Sequence, residues 1–176
     1  MNKRIILIAF LSIASNAYIL GQEPDTAFVE SVCSEELQAV AKPIESDGLF
    51  FTDVSQTKLY TGGYKEFYEN GALKLEMLII SGKPEGPYVV YFSNGKPKEV
   101  RSYQNGKFHG VWRTYNESGN LVSQAEYLND KKHGRWMVWD DNGILRCEME
   151  YTKGKKTGTW FTWDEKGRII SEKSYK

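Results

Sequence analysis

The sequence predicts an all-β fold: an elongated antiparallel β-meander of tandem 24-residue hairpins, with a short N-terminal leader or helix. A glycine returns every 24 residues with an aromatic residue two positions after it, in the pairs Gly62 and Tyr64, Gly86 and Tyr88, Gly110 and Trp112, Gly134 and Trp136, and Gly158 and Trp160. A second aromatic residue follows three positions later, at Phe67, Tyr91, Tyr115, Trp139 and Trp163. Another glycine then closes each hairpin, at Gly71, Gly95, Gly119, Gly143 and Gly167. A fixed period of this size is typical of repeat proteins.

The amino-acid composition indicates which residues form the buried surface and argues against a nucleic-acid partner. Aromatic residues make up 14% of the 176 residues and all hydrophobic residues only 40%, so rings must supply much of the buried surface. The 23 basic and 23 acidic residues balance, whereas a dedicated nucleic-acid binder usually carries a basic excess. We therefore expect no nucleic-acid partner.

Residues 1–21 have the features of a secretory signal peptide. Lys3 and Arg4 form a positive start, an apolar stretch follows, and small residues then precede a shift to polar sequence. The alternative is a membrane anchor, but the apolar run is well short of the ~20 residues that a spanning helix needs. We expect cleavage after Ala17 or Gly21 and an exported protein that is periplasmic, in the outer envelope or secreted.

Residues 22–47 do not fit the repeat, and two interpretations stay open. A short helix that ends before Pro43 is one, because five apolar residues fall roughly on one helical face, namely Phe28, Val32, Leu37, Val40 and Ala41. A linker that never docks on the sheet is the other.

The repeat domain is expected to span residues 48–176. Residues 48–62 form a degenerate opening unit, because the terminal unit of an array has to cap one end of the sheet. Five repeats follow over 63–176, each with two strands, which in the first repeat are predicted over 64–68 and 73–80. Neighbouring strands lie ~4.8 Å apart, so each repeat advances the sheet by ~10 Å.

Two kinds of turn alternate along the chain. The second turns, which follow strand two, carry paired glycines in most repeats and span about 81–86 in the first repeat. The first turns, which follow strand one, favour two-residue hairpin turns because Asn and Gly both adopt positive φ. The strong pairs are Asn70-Gly71, Asn94-Gly95 and Asn142-Gly143, and the weaker ones are Ser118-Gly119 and Lys166-Gly167.

The faces of the sheet are predicted only in part. Leu73 and Ile79 of strand two lie six residues apart, so they and their equivalents are expected to share a face. The two aromatic residues of strand one lie three apart, so either both faces carry rings or a bulge re-aims one column. We interpret the aromatic rows as the core of the sheet. The alternative is an exposed surface that stacks sugars or grips a peptide.

The order Gly-x-aromatic-x-x-aromatic, then Gly, Leu, Tyr and Asn-Gly-Lys, resembles MORN repeats in their variant bacterial form. The third copy shows it at 110–115, 119–121 and Tyr127, and residues 103–107 close the second copy in the same manner. The resemblance covers residues 48–176. It implies MORN-like β-hairpin modules that mediate protein contacts, some of them linked to phospholipids, without catalytic residues. Chains with this variant are often labelled YwqK-family antitoxins, which implies a cytosolic protein and disagrees with the predicted signal peptide.

No enzyme signature is found in the sequence. His109 and His133 lie one repeat apart, ~10 Å by strand spacing, too far to share a metal ion held at ~2.1 Å, and we interpret them as solvated turn residues. Cys33 and Cys147 could pair in an exported chain, but a free thiol at Cys147 is the favoured interpretation. We expect no catalytic residue, no cofactor, no metal and no small-molecule substrate.

Charge is expected to segregate between the two long edges of the sheet. The first turns are acidic, at Glu69, Glu117, Asp140, Asp141, Asp164 and Glu165. The second turns are basic and form the candidate partner-binding edge, at Lys83, Lys107, Lys131, Lys132, Lys155 and Lys156. The functional interpretation is electrostatic docking of a partner. The alternative is that these charges only deter aggregation between strands.

The sequence therefore predicts a non-enzymatic, exported repeat scaffold that mediates protein–protein interaction. One alternative is an antitoxin-like inhibitor that neutralises a partner toxin. Another is an envelope-associated module that binds anionic membrane lipid or glycan.

Overall fold

The computed structural model describes residues 42–176, so the predictions for the signal peptide and for most of the segment 22–47 lie outside the described residues. No helix occurs in this part of the chain. The strands are β1 (Ile44–Ser46), β2 (Leu49–Phe51), β3 (Gly62–Phe67), β4 (Leu73–Ile80), β5 (Lys83–Tyr91), β6 (Pro97–Gln104), β7 (Lys107–Phe108), β8 (Gly110–Tyr115), β9 (Leu121–Leu128), β10 (Lys131–Trp139), β11 (Leu145–Thr152), β12 (Lys155–Trp163) and β13 (Ile169–Tyr175).

The predicted antiparallel meander is confirmed. Eleven strands form one sheet in the order β3-β4-β5-β6-β8-β9-β10-β11-β12-β13, with β7 paired to β6. Strands β1 and β2 form a separate hairpin. The β-structure thus begins at Ile44, inside the segment assigned to the linker or helix, rather than at Gly48.

The second turns are tighter than the sequence suggested. Two consecutive residues have positive φ, 49–52° at the first and 66–89° at the second, which is type I′ geometry. The pairs are Ser81-Gly82, Asn105-Gly106, Asn129-Asp130 and Lys153-Gly154, and Asp47-Gly48 between β1 and β2 has the same form. The next strand therefore begins directly after the pair, so that β5 starts at Lys83, ahead of Gly86.

Each second turn is bonded to the preceding repeat through its backbone. The N–H of Gly106 donates to the carbonyl oxygen of Pro84 at 2.9 Å. Equivalent bonds of 2.7–3.0 Å run from Gly82 to Tyr60, from Asp130 to Phe108 and from Gly154 to Lys132. A chain of main-chain bonds therefore joins the repeats along this edge.

The first turns are three-residue loops, so the expectation of two-residue Asn-Gly turns was wrong. In the first repeat Gly71 has a φ of 82°, whereas Asn70 is not among the residues with positive φ. The Gly71 N–H donates to the Tyr68 carbonyl at 2.9 Å, as in a type I turn followed by a left-handed glycine. The Asn70 side chain supports this form, because its Oδ1 accepts the Ala72 N–H at 3.0 Å.

A β-bulge in strand two decides which residues share a face. Val138 pairs with Cys147 but Trp139 pairs with Leu145, so Arg146 is an extra residue. The same insertion occurs in the other repeats at Lys74, Lys98, Val122 and Ile170. One extra residue reverses the alternation of the strand. Leu73 and Ile79, with their equivalents, therefore lie on opposite faces, contrary to the prediction.

The two aromatic columns of strand one consequently occupy both faces of the sheet. We call the face with the first column the ladder face, defined by Tyr64, Tyr88, Trp112, Trp136 and Trp160. The opposite face is the reverse face, defined by Phe67, Tyr91, Tyr115, Trp139 and Trp163.

The opening unit caps the ladder face at its N-terminal end. Tyr60, Met77 and Ile79 form a buried cluster there, and Ile79 is fully buried. Phe50 of β2 packs against this cluster, and the Phe50 N–H donates to the carbonyl of Gly82 at 2.9 Å. The first repeats are therefore covered on this face.

Glu66 fastens the chain before β1 to the same end of the sheet. Its carboxylate accepts the Tyr64 hydroxyl at 2.5 Å and lies 3.0 Å from the Lys42 ammonium and 3.5 Å from that of Lys74. Hydrogen bonds from Tyr64 and Lys42 lower the pKa of Glu66 to about 2. Because this pKa lies below the unfolded value of ~4.3, Glu66 stabilises the fold above that value and loses its contribution as the pH falls through about 2.

Replacing Glu66 with Gln is expected to lower the free energy of unfolding by about 1 kcal/mol at neutral pH, after allowance for solvent screening. The loss should shrink as the pH is lowered towards 2, where the native carboxyl is itself protonated. Urea denaturation of both proteins across this pH range measures it, with Glu69→Gln in an exposed turn as the control. A deficit of Glu66→Gln that is the same at every pH would contradict the assignment.

Candidate functional site

A ladder of rings crosses the ladder face from β5 to β13. The centroids of successive rings lie 4.4–5.7 Å apart and the ring planes are tilted to one another. These are favourable distances for aromatic pairs. The rings are Tyr88, Tyr103, Phe108, Trp112, Tyr127, Trp136, Tyr151, Trp160 and Tyr175.

The ladder packs against itself but is only partly buried. Tyr151 is its one buried ring, and the others are half-buried. The rings thus pack against one another as predicted for a core, but most of them are less buried than core residues. Within residues 42–176 the sheet is a single layer, so no described element beyond the N-terminal cap covers the outer side of the ladder.

Two lysines lie over pairs of ladder rings. The Nζ atom of Lys132 is 4.2 Å from the ring centroid of Trp136 and 5.0 Å from that of Tyr151. One repeat later the same contacts, at 4.7 and 5.4 Å, join Lys156 to Trp160 and Tyr175. A cation in this position is attracted by the ring quadrupole. The ladder therefore carries fixed positive charges at ~10 Å intervals.

The six lysines of the candidate edge lie at the starts of strands that follow second turns, and all are exposed. Strand alternation divides them between the two faces. Lys132 and Lys156 lie on the ladder face, and the reverse face has four, which we call the lysine row: Lys83, Lys107, Lys131 and Lys155. Within residues 42–176 no ion pair joins any of the six to a carboxylate. Their role in binding stays a prediction.

The edge of the first turns carries both signs of charge, not the acidic charge expected. Asp140 accepts two backbone N–H groups of its own turn at 3.0 Å and lies 3.6 Å from Arg146. Asp164 builds its turn in the same way and pairs with Arg168 at 2.7 Å. Hydrogen bonds from the backbone and side chain of Arg168 hold the pKa of Asp164 below its ordinary value. These carboxylates therefore shape and neutralise the turns.

The histidines have a structural use that the sequence did not suggest. The Nδ1 atom of His133 accepts the backbone N–H of Lys153, the first residue of the next second turn, at 3.4 Å. Glu85, two repeats earlier, accepts the equivalent N–H of Asn105 at 2.6 Å. The Nδ1 atom of His109 is buried and has no hydrogen-bond partner among the described residues. Both imidazoles are half-buried, so they are not the freely solvated turn residues expected.

No group of three metal-ligating side chains occurs in the described part of the chain. Cys147 is half-buried and forms no disulfide within residues 42–176, and burial raises the pKa of its thiol, which lowers the fraction of reactive thiolate. Cys33 lies outside the described residues, so the question of its pairing with Cys147 stays open. Among the described residues no helix is both long enough and apolar enough to cross a membrane.

Comparison with known proteins bears on the family rather than on the activity. Among solved structures, the chain is similar to a mutant of TarM from S. aureus in complex with Fondaparinux, alpha-GlcNAc-glycerol and UDP. The match has a TM-score of 0.36 and 14% identity, and it covers 80% of this chain and 24% of that one. Likeness at this level supports no conclusion about fold or activity. A search of curated proteins found no match.

The repeat register agrees with a family model along the array. The model of the MORN repeat variant matches residues 60–79, 84–105, 108–129, 132–153 and 156–176. Repeats of this kind are non-catalytic modules for interaction with proteins or with membrane phospholipids. The chain belongs to the MORN repeat variant family.

Proposed function

We propose that this protein is a non-enzymatic, exported scaffold that docks an acidic protein partner along the lysine row. The single observation that carries the proposal is that the four ammonium groups of this row are exposed and have no carboxylate partner within residues 42–176. On the opposite edge, by contrast, Asp140 and Asp164 pair with Arg146 and Arg168.

The geometry suits recognition of a long surface. The type I′ turns and the bonds from each turn to the preceding repeat fix the edge, so the lysines recur at ~10 Å intervals. Unpaired surface charges steer a complementary partner and set its register, and this effect weakens as salt screens them. We therefore expect association to be faster and tighter at low ionic strength.

The test compares two charge-matched variants. Replacing Lys83, Lys107, Lys131 and Lys155 with Gln is expected to reduce partner capture at least about fourfold at low salt, on the basis of ~0.2–1 kcal/mol for each exposed ion pair. The control replaces four exposed lysines of the other edge, Lys74, Lys96, Lys98 and Lys166, and removes the same total charge. Capture is measured by cross-linked pull-down from the native host with quantitative mass spectrometry. Equal loss in both variants would show that net charge, not this edge, attracts the partner.

Cell fractionation distinguishes an exported protein from a cytosolic antitoxin. We propose a processed product outside the cytoplasm, on the basis of the apolar leader sequence at 1–21. An antitoxin-like inhibitor would instead stay unprocessed in the cytosol beside its toxin. Mass spectrometry of the N-terminus of the purified protein distinguishes the two, because only the exported form lacks the leader.

A further inference from the structure

The C-terminal half of the ladder face has an unusual chemical make-up. From β8 to β13, its strand positions hold rings, small or apolar residues and three lysines, but no carboxylate. The lysines are Lys132, Lys156 and Lys173, and all three are exposed. The cap at Phe50 and Tyr60 lies at the other end of the sheet, so it does not cover this half.

The glutamates of the same strands are all on the other side of the sheet. Glu126, Glu148, Glu150 and Glu172 pair in register with residues of the reverse face. Arg135 contacts Glu148 there, and their side chains form a cross-strand ion pair. In this half the charged side chains of the ladder face are therefore all positive, whereas the reverse face carries both signs, including Lys131, Lys155 and Arg135 beside its glutamates.

Hydroxyl groups line the ladder on the side away from Lys132 and Lys156. Thr114 pairs with Ser123, and Thr162 pairs with Ser171, on the ladder face. A ligand lying along this half would therefore meet cations on one flank, rings beneath it and hydroxyl groups on the other flank. Acyl chains of a lipid would leave the hydroxyl groups unused.

We propose that this half of the ladder face binds a linear anionic polysaccharide, with Lys132 and Lys156 pairing with its acidic groups. The apolar faces of the sugars pack beside these lysines along the half-buried rings of Trp136 and Trp160, and Thr162 and Ser171 bond to sugar hydroxyls. The two ring-supported ammonium groups are one repeat apart, so they suit a polymer whose negative charges recur at ~10 Å. This site is on the opposite face from the lysine row, so it goes beyond the protein-docking function proposed above.

The experiment uses a hyaluronan oligosaccharide, which carries one carboxylate per disaccharide, titrated into the full chain at low ionic strength by calorimetry. The variant is K132Q/K156Q, and the matched control is K131Q/K155Q, which removes the same charge from adjacent positions on the reverse face. We expect the first pair to weaken binding about tenfold and the second pair to change it less than about twofold. Far-UV circular dichroism checks that both variants fold.

Three comparisons decide whether charge or sugar is recognised. A neutral dextran oligosaccharide should bind much more weakly than hyaluronan, and polyglutamate of equal charge should bind more weakly because it lacks stacking sugars. The proposal is overturned if polyglutamate or phosphatidylglycerol vesicles bind as tightly and with the same dependence on Lys132 and Lys156. It is also overturned if hyaluronan does not bind, or if the two lysine variants lose affinity equally. Failure here leaves docking of a protein at the lysine row unaffected, since that test measures capture of a protein on the opposite face and does not depend on Lys132 or Lys156.

Discussion

Replacing Ile79 with alanine is expected to lower the free energy of unfolding by about 2–5 kcal/mol, the usual range for a buried isoleucine. Ile79 is fully buried in the cluster with Tyr60 and Met77, and Phe50 of the cap packs on the same cluster. The change would leave a cavity under the cap and loosen the opening unit from the sheet. Urea denaturation followed by circular dichroism measures the loss.

The neighbouring residue provides a matched control for this change. Ile80 has the same side chain on the same strand but is 45% exposed. Ile80→Ala should therefore cost less than about 1 kcal/mol. If both substitutions destabilise the protein to the same extent, the cap does not bury Ile79 in solution.

Replacing Trp112 with alanine is expected to cost about 3 kcal/mol, near the lower end for a large aromatic residue. Its ring lies 4.4 Å from that of Phe108 and 4.6 Å from that of Tyr127, and the guanidinium of Arg101 lies over it at 4.9 Å. The indole N–H of Trp112 is buried without a hydrogen-bond partner among the described residues, which is itself unfavourable. Removing the side chain removes this desolvation penalty and so offsets part of the lost packing energy. Thermal unfolding of the variant measures the difference.

The shape of the unfolding curve gives a second readout for Trp112. Repeat proteins hold together through contacts between neighbours, so a break in the middle of the ladder should uncouple its two ends. We expect Trp112→Ala to broaden the transition or to split it in two. Trp139→Ala on the reverse face, a tryptophan outside the ladder, should cost less and leave the transition sharp. A single sharp transition in Trp112→Ala would show that the backbone alone couples the repeats.

The 24-residue period was sufficient to predict the meander, the strand order and the two edges. These properties follow from which residues recur, and Gly62 to Gly158 recur without an insertion. The atypical opening unit was also predictable as a cap, because Tyr60 and Phe50 precede the first full copy and supply apolar surface.

The faces of the sheet were not predictable, and the bulge is the reason. The extra residues, such as Lys74 and Arg146, are exposed or half-buried and are of no distinctive residue type. Alternation of faces counted along the sequence therefore continues across the bulge and assigns the next residues to the wrong face. The type of turn escaped prediction for a related reason. Asn70-Gly71 allows two turn forms, and the hydrogen bond from the Ala72 N–H to the Asn70 side chain accompanies the longer one.

The site was predictable in position but not in chemistry. The lysines were found from their register, yet their division between two faces depends on the true start of each strand, at Lys83 for β5. The lysine-over-ring contacts join residues that lie 4 and 19 positions apart, as between Lys132 and its rings at Trp136 and Tyr151. Pairing across strands brings the second ring into place, and a single-sequence pattern does not contain that information.

The backbone bonds from each second turn to the repeat before it, such as Gly106 to Pro84, have a consequence for how this gene can change. Every such bond is made between neighbours, so duplication of one whole copy would add its own bonds without rebuilding the rest. Each duplication would also lengthen the lysine row by one charge and the ladder by one pair of rings. If the ligand is also repetitive, binding at one repeat raises the effective concentration of the ligand at the next repeat. Each added contact then increases the overall affinity by a factor rather than by a fixed amount. The number of repeats would then determine the avidity for such a ligand, and each duplication or deletion would change it by one hairpin.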